Sequence, residues 1–145
     1  MPEDALLARI FEAHPAATFV VDDDVRVLLA NLAARALLGP GELVVRERPR
    51  RGGDLLHCAH TTDHVDGCGR GEHCQTCVVR TSVGQALQAG PLVRRPGELE
   101  LLRDGAVHRL HVLVSATPLE LQGLRLAVLT VELPPAATSL PVVAG

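Results

Sequence analysis

The sequence predicts an α+β domain, a sheet with one covered face and helices packed against it. Three observations predict it. Two apolar runs with an acidic turn between them lie near the amino terminus. Three more form a meander near the carboxyl terminus, two of them meeting across Asp104-Gly105, the strongest short hairpin signal. Between and before these runs, apolar residues recur at helical spacing.

In chain order, residues 5 to 13 place Leu6, Leu7, Ile10 and Phe11 on one stripe of a short amphipathic helix, which His14 and Pro15 end. "ATFVV" at 17 to 21 reads as a strand, Asp22, Asp23 and Asp24 as its turn, and "VRVLLA" at 25 to 30 as the returning strand. Asn31 follows, able to cap "LAARALL" through its side-chain oxygen, and Gly39, Pro40 and Gly41 stop that helix. From Glu42 to Cys77 periodicity is least. Residues 78 to 90 return to helical spacing through Val79, Val83, Ala86 and Leu87, with a terminal glycine in the usual stopping position. Strands are then expected at 97 to 103, 106 to 119 and 123 to 133. In the middle one Leu110, Val112 and Val114 share a face with His108, which is expected as a hydrogen-bonded core or cavity residue; His111 faces the surface and His14 belongs to a helix end. The domain is read as residues 1 to 133, followed by a flexible tail from 134 to 145.

Composition narrows the function. The 145 residues suffice for one core without disulfide staples, and the 47% hydrophobic content is normal for a globular chain. Phe11 and Phe19 are the only aromatics, so the core must be aliphatic, ring stacking is thinly supplied, and a flavin is not expected. All fourteen basic side chains are arginine, which excludes a lysine Schiff base and a P-loop lysine. A net charge of -3 gives no general attraction to nucleic acid, and the run at 46 to 51 reads as a solvated loop. The acidic opening is unlike a secretory signal, and no apolar stretch reaches membrane-spanning length. The reading is a cytoplasmic protein with no membrane and no nucleic-acid partner. The three aspartates read as a solvated turn rather than a cation site. No nucleophile is paired with a base in a recognisable motif, so catalysis is not expected.

The order of elements, together with "IFEAHPAATFVVDDDVRVLLANLAARALLG" and "LELLRDGAVHRLHVLVSATPL" followed by "LAVLTVEL", resembles the PAS domain family over roughly residues 5 to 133. The resemblance implies a five-stranded antiparallel sheet with helices on one face, used to sense small ligands, redox state or oxygen. It further implies a homodimer paired through the first helix, and a protein signalling partner such as a histidine kinase or regulator. Leu32 stands where the family often has proline, and "VELPPAA" lacks the usual linker signal after the last strand.

All four cysteines and four of the seven histidines lie between residues 57 and 77. In a reducing compartment such clustering points to metal or redox chemistry rather than structural disulfides. Cys58, Cys68, Cys74 and Cys77 are spaced x9, x5 and x2. Four thiolates can enclose tetrahedral zinc or a 4Fe-4S cluster. Cys74 and Cys77 form one knuckle, Gly67 and Gly69 flank Cys68, and the long gaps suit a loop around a larger object, which favours iron-sulfur. His57, His60 and His64 share a face if that stretch is helical, and His73 precedes Cys74, so these four are alternate ligands in a Cys/His zinc site. Haem c is not expected, because Val78 rather than histidine follows Cys77. "GDLLHCAHTTDHVDGCGRGEHCQTC" is also similar to a subgroup of PAS sequences with cysteines at this place, where the family usually holds haem or flavin. The expected function is a PAS sensor with a cysteine-ligated iron-sulfur or zinc centre. Two alternatives stand beside it: a thiol-disulfide switch at Cys74 and Cys77, and a zinc-stapled adaptor with no ligand response.

Overall fold

The computed structural model describes residues 3–38, 77–103 and 105–134. Helix α1 spans Glu3–Ala13, strand β1 Ala17–Asp22, β2 Val27–Ala30, helix α2 Leu32–Leu38, helix α3 Val78–Ala89, and strands β3 Leu92–Arg103, β4 Ala106–Leu121 and β5 Leu124–Glu132. The five strands form one sheet in the order β2-β1-β5-β4-β3, with every neighbouring pair antiparallel. The terminal strand β5 thus pairs with the first strand and joins the early hairpin to the late one. Both late turns follow the chemistry of tight hairpins. Arg103 faces Ala106 across a turn with Gly105 at φ 78, and Leu121 faces Leu124 across Gln122 and Gly123, both at positive φ as a type I′ turn requires.

The covered face is aliphatic apart from Phe19. Val21, Leu99, Leu101, Val112, Val114, Ala116, Leu129 and Val131 are buried, and α3 lays Val78, Val79, Val83 and Ala86 against them. Four buried positions recurring at helical spacing explain why this segment is a helix, and Gly90 ends it at φ 107 with its N–H donating to the Ala86 carbonyl. Gly97 in β3 is where helix and sheet come closest. A Cβ built there would lie 2.5 Å from the Val78 Cβ.

Three expectations are corrected. His108 is exposed, because β5 pairs with β4 only as far as Leu113 opposite Glu132, and the earlier part of β4 has β3 alone as a neighbour. β3 starts at Leu92, five residues ahead of the expected start, through an irregular register between Leu92 and Arg95 that a left-handed Arg94 (φ 54) and its N–H donation to the Ser115 Oγ accommodate. The aspartate turn is built, and only Asp23 is exposed. The Asp22 Oδ1 accepts the N–H groups of Asp24 (2.9 Å) and Arg26 (2.8 Å), while Asp24 takes ion pairs from Arg26 and Arg80.

The stripe of α1 lies where the spacing put it, yet Leu6, Leu7 and Ile10 are about half exposed or more, and no residue of the helix is buried. α1 is instead held at its carboxyl end. The Asn31 amide donates to the carbonyls of Phe11 (3.1 Å), His14 (3.2 Å) and Ala16 (3.1 Å), and the Arg35 guanidinium forks onto both carboxylate oxygens of Glu12. No helix among the described residues is long and apolar enough to cross a membrane.

Candidate metal and signalling site

Of the expected ligands, Cys77 is the one within the described residues; Cys58, Cys68, Cys74, His57, His60, His64 and His73 lie outside them, as do Gly39, Pro40 and Gly41. Cys77 is the N-cap of α3, extended at φ -61 and ψ 128, and its side chain makes no capping hydrogen bond to the helix. Ser, Thr, Asp and Asn are the residues that usually cap here with their oxygens. The Cys77 carbonyl accepts the first helical N–H, that of Thr81 (2.9 Å), and also the Thr81 hydroxyl (2.8 Å). Cys77 is half-buried against the core. A helix amino terminus favours negative charge, which suits a thiolate ligand. Among the described residues no three of His, Cys, Asp and Glu converge on a common point.

Three features of this region escaped sequence reasoning. Ser82 occupies the buried stripe of α3 with its Oγ unpartnered, and its signal was a polar residue at helical spacing among valines. Arg80 reaches back 56 residues to Asp24, a pairing that no local pattern reveals. Gly97 read as an ordinary strand start, whereas it is the seat of Val78.

Asn31, by contrast, was legible. As expected, its Oδ1 caps α2 by accepting the Ala34 N–H at 2.9 Å, and it also accepts the Thr18 N–H at 3.0 Å. Beside this junction lies an apolar groove of about 590 Å³, lined among others by Ala16, Ala17, Ala33, Ala36, Leu37 and Val131.

A family model described as PAS domain matches residues 5–70. Solved structures agree with it across the sheet. The PAS domain of nitrogen regulation protein NR(II) from Vibrio parahaemolyticus is 18% identical with a TM-score of 0.57, over 89% of this chain and 98% of that one. The chain folds as a PAS domain. The Vibrio cholerae VqmA dimer in the absence of target DNA is similar at 13% identity and a TM-score of 0.53, over 94% of this chain and 54% of that one. A chain of the Escherichia coli DhaR(N)-DhaL complex is similar at 11% identity and a TM-score of 0.54, over 90% of this chain and 35% of that one. This chain therefore spans about half of the VqmA chain and about a third of the matched chain of the DhaR(N)-DhaL complex. No curated protein matches the sequence.

Proposed function

We propose that this PAS domain is the sensory part of a signalling protein, and that Cys58, Cys68, Cys74 and Cys77 hold a metal centre, an iron-sulfur cluster or zinc, with His57, His60, His64 and His73 as alternate zinc ligands. The observation that carries the reading is the place of Cys77. It is the hinge between the cysteine-rich segment and α3, whose buried stripe covers the sheet, so whatever holds its sulfur also fixes the start of the helix. When bound, an iron-sulfur cluster supplies redox and gas sensitivity, and zinc supplies a structural cross-link. The chain's own contribution is to present a thiolate at a helix amino terminus and to transmit its position to the packed α3.

The signal then passes to a protein partner, a histidine kinase or another regulator. A homodimer formed through the exposed Leu6, Leu7 and Ile10 of α1 provides the surface that reads it, since that stripe is not covered by the described residues. Recovery of a monomer at micromolar concentration in sedimentation overturns the dimer.

Metal analysis and a visible spectrum of anaerobically purified protein test the centre. A broad brown absorption with iron and sulfide supports the cluster, and colourless protein with one equivalent of zinc supports the cross-link. Metal-free protein in which Cys74 and Cys77 oxidise reversibly overturns the metal reading and leaves a thiol-disulfide switch. Cys68→Ser is expected to abolish metal binding while leaving the sheet folded, and unchanged metal content removes Cys68 from the site.

A further inference from the structure

The first turn of α3 is tied to the β1–β2 turn through Arg80. The Arg80 Nη1 donates to the Asp24 Oδ1 at 3.0 Å, and its Nη2 donates to the Asp24 carbonyl at 3.1 Å. Both side chains are about four-fifths buried, so the pair is far better shielded than a surface ion pair. The turn being gripped is strained. Val25 sits at φ 60, a left-handed conformation that a β-branched residue adopts only where its surroundings over-determine it. Here the surroundings are specific. The Val25 side chain is 2% exposed, its N–H donates to the Asp22 carbonyl, and the Asp22 carboxylate holds the N–H groups on either side. Arg80 fastens the same turn from outside the hairpin.

On the helix side, Arg80 stands one turn after Cys77, whose carbonyl carries both Thr81 bonds. On the sheet side, the strained turn leads directly into β2, the four-residue edge strand, where Leu29 is half exposed. We propose that Arg80 couples the cysteine-bearing start of α3 to the β1–β2 turn, so that displacement of Cys77 releases Val25 from its left-handed conformation and alters the β2 edge. This rests on the reading that Cys77 belongs to a responsive centre, and it gives that centre a route to the sheet surface. By reciprocity, a partner that binds the β2 edge and favours one turn conformation shifts the state of the cysteine site by the same factor.

Amide hydrogen exchange on the full chain, read at Asp24, Val25 and Arg26 with the β4–β5 ladder as internal control, tests the coupling. Arg80→Met is expected to speed exchange at the three turn amides by about tenfold and to leave the ladder unchanged, the signature of local rather than global opening. Cys77→Ser, which removes the thiolate, and Thr81→Val, which removes the hydroxyl bridge, are each expected to speed the turn amides several-fold. On the Arg80→Met background neither adds anything, because the connection is already cut. Turn amides that ignore both substitutions, or that respond equally without Arg80, overturn the coupling. Metal content measured on the same samples keeps the two readings apart. A metal-free chain whose turn answers Thr81→Val overturns the metal centre and supports the coupling, whereas a metal-bearing chain whose turn stays silent overturns the coupling alone.

Discussion

Asn31 and Ser82 are both fully buried polar side chains, and the fold treats them in opposite ways. Asn31 engages five backbone groups, two through its oxygen and three through its amide, and so locks the end of α1, the start of β1 and the first turn of α2 into one junction. Ser82 engages none. The α2 junction is held by directed bonds that tolerate no substitute, while α3 is held by the fit of valines on an aliphatic sheet, with one hydroxyl carried along at a cost. The buried stripe of α3 can slide over the sheet without breaking a hydrogen bond, whereas the Asn31 junction cannot move without breaking several. The directed bonds that tie α3 lie at its rim, from Arg80 to Asp24, from Arg125 to the Leu87 carbonyl and from Arg95 to Gln85.

The largest test of this contrast is Asn31→Ala. It strands the buried Thr18 N–H and leaves the carbonyls of Phe11, His14 and Ala16 without that donor, so a loss of about 3 kcal/mol is expected from urea unfolding, enough to unfold a marginal domain. A loss below about 1 kcal/mol breaks the comparison, since water would then serve the junction as well as the side chain does. Next in size is Gly97→Ala. The added methyl meets the Val78 side chain at 2.5 Å to 2.8 Å, β-branched and fixed at the helix start, so about 2 kcal/mol is expected to be lost and α3 to be pushed off the sheet. A neutral Gly97→Ala indicates that α3 is already loose there. The same substitution paired with Val78→Ala recovers part of the loss, which isolates the contact as its cause.

What the sequence made legible follows the same division. Local chemistry was readable. Asn31 before "LAARALL" announced its cap, Asp104-Gly105 its hairpin, and Val79, Val83 and Ala86 their helix, because each signal is contained within a few residues. Long-range placement was not. That His108 would stand in the open depended on where β5 stops, twenty-odd residues further on in the chain, and alternation along β4 carries no such information. The aspartate turn misled for a related reason. Three charges in a row look solvated until the Arg80 guanidinium, brought by a different helix, is laid across one of them. Of the candidate metal ligands Cys58, Cys68 and Cys74 lie outside the described residues, and Cys77 stands at the head of α3.

A smaller effect is expected at Ser82 itself. Ser82→Ala removes a buried hydroxyl that has no partner, and no bond is lost with it, so the chain is expected to gain about 1 kcal/mol in urea unfolding. The direction is what matters, because almost every other buried substitution in this core destabilises. If Ser82→Ala lowers stability instead, the hydroxyl finds an acceptor in solution, and the buried stripe of α3 is held by a directed bond after all.

The smallest expected effect concerns the other tie at the Asn31 side, between α1 and α2. The Arg35 guanidinium beside Glu12 holds that carboxyl below its ordinary value of 4.5, chiefly through the side-chain hydrogen bond. A carboxyl depressed in the folded state contributes stability that is fully present above its ordinary value and is lost as pH falls through the depressed one. Glu12 and Arg35 are both substantially exposed, and ion pairs of this kind contribute little. Glu12→Gln is therefore expected to lower the melting temperature only slightly at neutral pH, with the gap between the two proteins closing as pH falls through the depressed value. A gap that persists in acid means that the carboxylate charge is not what fastens α1, and the bonds from Asn31 to Phe11 and His14 then carry the helix without help.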